Sequence, residues 1–159
     1  MAGNDRRRDR LNGQFTGAHR TWLAPNGSDK APIDTPRKAM GDLLGHAVRF
    51  GVPGEVMAAG EGIENVLSVR EVLPGMAMAA ALSAAHLAAI QFPETLRRLY
   101  IVRDDDPAGT SACDSLIERA YAVGVEAIVL SPELGDFNED LRELGIDALR
   151  ANVRRQLAP

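Results

Sequence analysis

From residue 54 onward, short apolar runs alternate with longer stretches in which apolar residues recur at helical spacing. Val56-Met57-Ala58-Ala59 is such a run, Gly60-Glu61-Gly62 breaks it, and Ile63, Val66, Leu67 and Val69 then follow a near-helical period. That order predicts a strand, a tight turn and a helix. The unit recurs: Met76 to Leu82 leads to a helix capped by Ser83, Leu99 to Val102 to a helix from about Gly109 to Val123, and Ala127 to Leu130 to a helix over Phe137 to Leu144. Gly124 and Gly145 stand where helix C-terminal glycines belong. Four strand-helix units with short connections predict an α/β fold, a parallel four-stranded sheet flanked by helices and joined by right-handed crossovers.

The pattern before residue 54 is different. Residues 17–53 show short apolar pieces between turn signals: Arg20-Thr21-Trp22-Leu23 reads as a strand, Pro25-Asn26-Gly27 as a turn and Gly45 to Phe50 as another strand, together a small β-rich lobe. Residues 1–16, with Arg6, Arg7, Arg8 and Arg10 among Asp, Asn and Gly, carry no periodicity and read as a disordered basic tail. The main domain spans 54–146, and 147–159 reads as a C-terminal helix.

Composition refines this picture. Aromatic residues make up 4% of the chain against 45% hydrophobic overall, which predicts an aliphatic core of helices on a sheet. The single cysteine, Cys113, excludes an intramolecular disulfide and any four-thiolate zinc site, and the compartment reads as cytoplasmic. The N-terminus leads into polar residues rather than an apolar signal segment. The longest apolar stretch, Met76 to Ile90, is interrupted by Ser83 and His86 and falls short of the roughly 20 residues a bilayer requires, so no membrane role is expected. The net charge of -4 conceals an asymmetry: residues 1–50 carry nine Lys or Arg against five Asp, and residues 51–150 carry seven Arg against seventeen acids. A basic arm beside an acidic domain suits a protein that touches phosphates with one part and holds cations with the other; a solvated tail beside an acidic surface would look the same.

In open parallel sheets ligands bind beyond the carboxyl ends of the strands, so the residues just after each strand are the ones to inspect. Two of these positions are unusual, Gly60-Glu61-Gly62-Ile63-Glu64 and Arg103-Asp104-Asp105-Asp106-Pro107-Ala108-Gly109. Three consecutive aspartates repel one another unless cations or helix N-terminal amides compensate. Asp104 and Asp106, two apart on extended chain, point to one side, and oxygen ligands at that spacing suit Mg²⁺. Glu61, from a neighbouring strand, could complete such a site or move a proton, and the glycines beside it would let a backbone or phosphate approach closely. The competing reading makes Asp105 or Asp106 a plain cap of the helix that starts near Gly109.

The segments Val56 to Ser68 and Leu99 to Thr110 resemble the Toprim domain shared by bacterial primases, topoisomerases and some nucleases. Glu61-Gly62-Ile63-Glu64 and Asp104-Asp105-Asp106-Pro107-Ala108-Gly109 carry the resemblance. The chain is more closely similar to the primase-like Toprim proteins of plasmids and phages, through Gly17-Ala18-His19-Arg20-Thr21-Trp22-Leu23, Ala79-Ala80-Ala81-Leu82-Ser83 and Asp136-Phe137-Asn138-Glu139-Asp140-Leu141. The resemblance implies a Rossmann-like Toprim fold, Glu61 as general acid or base in nucleotidyl transfer, and Asp104 and Asp106 as ligands of Mg²⁺, for which Mn²⁺ can substitute. Glu64 and Asp136 are candidates for a supporting or second-metal role, and equally for solvated acids.

The implied activity is primase-type primer synthesis on DNA from nucleoside triphosphates. A Toprim nuclease and a non-catalytic nucleic-acid-binding module of a larger replication protein are the alternatives. Many relatives have a lysine just before the Asp-Phe-Asn stretch, where this chain has Gly135. Full primases also carry a zinc-binding module, which the single cysteine rules out here. The expectation is therefore a fragment, or a protein that works with a helicase or a zinc-binding module. Arg20, Lys30, Arg37 and Lys38 of the lobe are candidates for nucleic-acid or nucleotide phosphates. Trp22 is either a base-stacking residue or part of the lobe's core.

Overall fold

The computed structural model describes residues 3–9, 11 and 13–157. Its N-terminal part is a three-stranded antiparallel sheet in the order β1 (Gly3–Asp9), β2 (Phe15–Trp22), β3 (Arg37–Gly41). The disordered tail expected over 1–16 is thus corrected for Gly3–Asp9, whose backbone pairs with β2 from Gly3 opposite Trp22 to Asp9 opposite Phe15. An edge strand is held by main-chain hydrogen bonds that need no alternation of side chains, so periodicity does not reveal it.

The main sheet has five strands: β4 (Val48–Phe50), β5 (Val56–Gly60), β6 (Ala77–Ala80), β7 (Arg98–Val102) and β8 (Glu126–Leu130), in the order β4-β6-β5-β7-β8. The four strands predicted to be parallel are parallel. The fifth, β4, was expected in the lobe but pairs antiparallel with β6 at the sheet edge, because Val48 belongs to the core packed against Met78 and Ala80. Helices α1 (Ile63–Val72), α2 (Ala84–Ala88) and α3 (Pro107–Ala122) connect the parallel strands. After β8 come the short α4 (Phe137–Glu139), a π-helical turn over Asp140–Leu144, and α5 (Ile146–Gln156). No described helix is long and apolar enough to cross a membrane.

Strand periodicity divides the core into two layers. Met57, Ala59, Leu99 and Ile101 face α2 and α3, packing with Leu87, Ala112, Leu116 and Ala120. Their neighbours Ala58, Tyr100 and Val102 face α1 and α5, packing with Val66, Val69, Leu149 and Val153. With α1 on one face and α2 and α3 on the other, the winding direction reverses between β5 and β7. At such a switch point the loops leaving two adjacent strands diverge to opposite faces and leave a crevice between them. Those two loops carry Glu61 and Asp104 to Asp106.

Candidate active site

Gly60 ends β5 where no side chain fits: a Cβ there would lie 2.8 Å from Val66 Cγ2 and 3.0 Å from Val102 Cβ. At Gly62, in contrast, a Cβ would meet nothing closer than 3.8 Å. The bareness of Gly60 is therefore used up by the protein's own packing, and only Gly62 leaves the open approach expected on both sides of Glu61. The Glu61 carbonyl accepts the Leu82 N–H at 2.8 Å, which ties the ends of β5 and β6 together. Leu82 does so at φ 75°, a left-handed conformation that costs a non-glycine residue roughly 1–2 kcal/mol. The Glu61 carboxylate is met by the backbone N–H of Ala84 at the start of α2.

The three aspartates after β7 have three different occupations. Asp104 is partly buried and accepts a hydrogen bond at Oδ1 from Asn65 Nδ2. Asp105 is exposed and pairs with Arg103 at 3.0 Å. Asp106 caps α3, its Oδ1 accepting the Gly109 N–H at 2.6 Å, so the capping reading holds for this residue. Gly109 is required there, since a Cβ would run into the Asp104 carbonyl oxygen. Asp136 caps α4 by accepting the Glu139 N–H at 2.7 Å, and the Asp105 N–H donates to the Gly135 carbonyl at 2.9 Å, which joins the β7 and β8 loops.

Capping does not remove Asp106 or Asp136 from the rim, because their charges are felt there. Desolvation first, and then the Asp106 charge, pushes the Glu61 carboxyl above its usual range, against the opposing effects of Arg37 and the Ala84 N–H. Asp104 is pushed up to about 6, chiefly by burial and then by Glu61, with Asp136 and Asp106 adding to the effect and the Asn65 hydrogen bond opposing it. The crevice thus gathers Glu61, Asp104, Asp106 and Asp136 from three strand ends. Glu64 does not join them: it is exposed and pairs with Arg37 of β3 at 3.6 Å.

Among the described residues no three acids form a ready-made metal cage. The donor set nonetheless fits Mg²⁺, which binds hard oxygens and takes one or two carboxylates together with water and substrate phosphates. Burial first and neighbouring acids second disfavour the ionised forms of Glu61 and Asp104, and a bound cation would favour those forms.

The four basic candidates of the lobe are not one cluster. Arg37 lies at the acidic rim, whereas Arg20 and Lys38 are cross-strand partners on β2 and β3 and so share the opposite face of that sheet. The Arg20 guanidinium sits over the Trp22 ring at 5.7 Å. Lys30 is exposed beyond the β2 end, bridged to Leu23.

Three residues of the site region were given no role from the sequence. Asn65 and Leu82 are described above; the third is Asp140, fully buried, whose two oxygens accept the Glu133 and Leu134 N–H groups at 2.9 and 2.8 Å and so shape the β8 loop. A signal existed for Asn65: with Ser68, Val69 and Val72 it lies on the inward stripe of α1, where a polar side chain needs a partner. For Leu82 there was none, since leucine does not favour a left-handed turn.

Comparison with known proteins agrees with this fold. The chain matches the primase fragment of the bacteriophage T7 primase-helicase protein with a TM-score of 0.67 at 15% identity, covering 97% of this chain and 62% of that one. It matches the Aquifex aeolicus primase (zinc-binding and RNA polymerase domains) with 0.63 at 20% identity, covering 94% and 39% respectively. For the RNA polymerase domain of the Mycobacterium tuberculosis primase the values are 0.59, 18%, 94% and 53%. The chain therefore spans less than two thirds of each of these structures, and the likeness establishes a shared fold. No curated protein matches the chain. Residues 7–50 match a domain of unknown function, DUF7146. Residues 56–147, more than half of the chain and including every acid of the crevice, match the Toprim domain, and the chain belongs to the Toprim domain family.

Proposed function

We propose that this chain is a Mg²⁺-dependent, primase-like nucleotidyltransferase that extends a primer on DNA from nucleoside triphosphates. The observation that carries this reading is the meeting of Glu61 from the β5 loop with Asp104 and Asp106 from the β7 loop in the switch-point crevice, next to Arg37 of the lobe. Asp104 and Asp106 would hold Mg²⁺, with Asp136 close enough to support them. The ion's contribution, when bound, is to neutralise phosphate charge and orient the triphosphate. Glu61 is the residue for proton movement: its raised proton affinity brings its titration closer to neutral pH, where a general base or acid is most effective. Arg37 is suited to an outer phosphate oxygen, and Arg20 and Lys38 to the backbone of a strand on the far face of the lobe. The T7 relative is part of a primase-helicase protein and the Aquifex one contains a zinc-binding domain, so a helicase and a zinc-binding module are the partners we propose for the context of plasmid or phage replication in the cytoplasm.

A gel assay with labelled template, nucleoside triphosphates and Mg²⁺ tests this reading. Extension products that fall by about 10²- to 10⁴-fold in Glu61→Gln, with nucleotide binding retained, are expected. Shortened template would make the protein a nuclease. DNA binding unchanged by EDTA and by Glu61→Gln, with no product of either kind, would make it a binding module.

A further inference from the structure

Asn65 connects three pieces of the crevice with one side chain. It is the third residue of α1 and only 3% exposed. Its Nδ2 donates to Asp104 Oδ1 in the β7 loop, and its Oδ1 accepts the N–H of Phe137 at 2.8 Å. Phe137 is the first residue of α4 and follows Asp136 directly. An amide is well fitted to this place because it donates and accepts at once, whereas an ionised aspartate can only accept and a leucine of similar size does neither. The link also joins the start of the helix that follows Glu61 to the loops of β7 and β8, which the Asp105 N–H and the Gly135 carbonyl already tie to each other.

We propose that Asn65 is a positioning residue for the rim acids: by occupying one oxygen of Asp104 and anchoring the start of α4, it sets Asp104 and Asp136 in a fixed relation as a single cation-binding unit. The proposal rests on the reading of the crevice as a metal-dependent transfer site. It assigns the β8 acid to the same ion environment as the β7 acids, through a residue that touches neither substrate nor metal. Partners of this kind, one step removed from a metal, cost about 10- to 100-fold in metal affinity or activity when they are removed.

The test uses Mn²⁺ as the probe and Asn65→Leu, with Asn65→Ala as a smaller alternative should leucine disturb folding. Mn²⁺ should broaden the backbone amide resonances of residues 104–106 and 136–137 of the wild-type protein in parallel. In a variant that still melts cooperatively, the affinity should fall about 10- to 100-fold, the 136–137 amides should respond less than those of 104–106, and kcat should fall more than KM for the nucleotide rises. A folded variant with wild-type Mn²⁺ affinity and kcat would overturn the proposal and leave the functional reading intact. Wild-type protein in which Mn²⁺ broadens neither loop would overturn both. One measurement needs no variant: Mg²⁺ titrated into the wild-type protein should shift the Asn65 side-chain amide resonances with the same half-saturation as the Asp104 and Phe137 backbone amides. Side-chain resonances that stay still while those amides move would also sink it.

Discussion

Replacing Asp104 by Asn removes a charge and keeps nearly the same shape, which isolates the electrostatic cost of the crevice. The amide oxygen that the substitution leaves in place of the carboxylate can still accept from Asn65 Nδ2, so the hydrogen bond is retained. The Asp104 carboxyl lies at about 6 in the folded protein against 3.8 for an unperturbed aspartate, a rise of about two units. At about 1.4 kcal/mol per unit this corresponds to roughly 3 kcal/mol of destabilisation of the ionised form. Asp104 is only partly buried, and solvent screening reduces this to about 1–2 kcal/mol. The folded state holds the proton more tightly than the unfolded chain, so this part of the stability is fully present below about pH 4 and is lost as the pH rises through about 6. Asp104→Asn should therefore raise the apo melting temperature by about 2–8 °C at pH 7.5, using about 2–4 °C per kcal/mol for a domain of this size. It should have little effect near pH 3, where the wild-type carboxyl is largely neutral in both states. Thermal melts in EDTA at the two pH values, paired with Mg²⁺-dependent turnover, measure it; turnover should disappear although stability is gained, as is common for functional acids held in unfavourable company. A variant that melts several degrees lower at pH 7.5 would refute this reasoning and make Asp104 a structural acceptor.

Gly109→Ala should cost about 1–3 kcal/mol by urea denaturation and weaken turnover, because the new methyl group meets the Asp104 carbonyl and displaces the start of α3 with its cap Asp106; unchanged stability would mean that the loop yields freely. Arg20→Ala with Lys38→Ala should flatten the salt dependence of DNA affinity by about 0.9 in slope for each phosphate left without its cation, whereas Arg37→Ala should chiefly raise KM for the nucleotide; identical effects of all three would contradict their separation on two faces of the lobe.

The repeated change from apolar runs to helical spacing was enough to determine, without coordinates, four parallel strands and the helices between them, because burial on both faces of a parallel sheet demands continuous apolar strands such as Val56 to Ala59 and Leu99 to Val102. It also determined the rim, since Glu61 and Asp104 to Asp106 directly follow two of those strands. Tertiary structure alone decided which acids share the crevice. Glu64 and Asp136 looked equivalent in the sequence, yet the position of Glu64 on α1 sends it to Arg37, while the β8 loop brings Asp136 beside Asp104. Strand order is not encoded in local periodicity, so neither the antiparallel β4 at the edge nor the switch point between β5 and β7 could be read from residue spacing. The strand at Gly3–Asp9 was hidden because its pairing lies in the backbone, and the contacts of Asn65 were hidden because its partners are 39 and 72 residues away and meet it only in the folded chain.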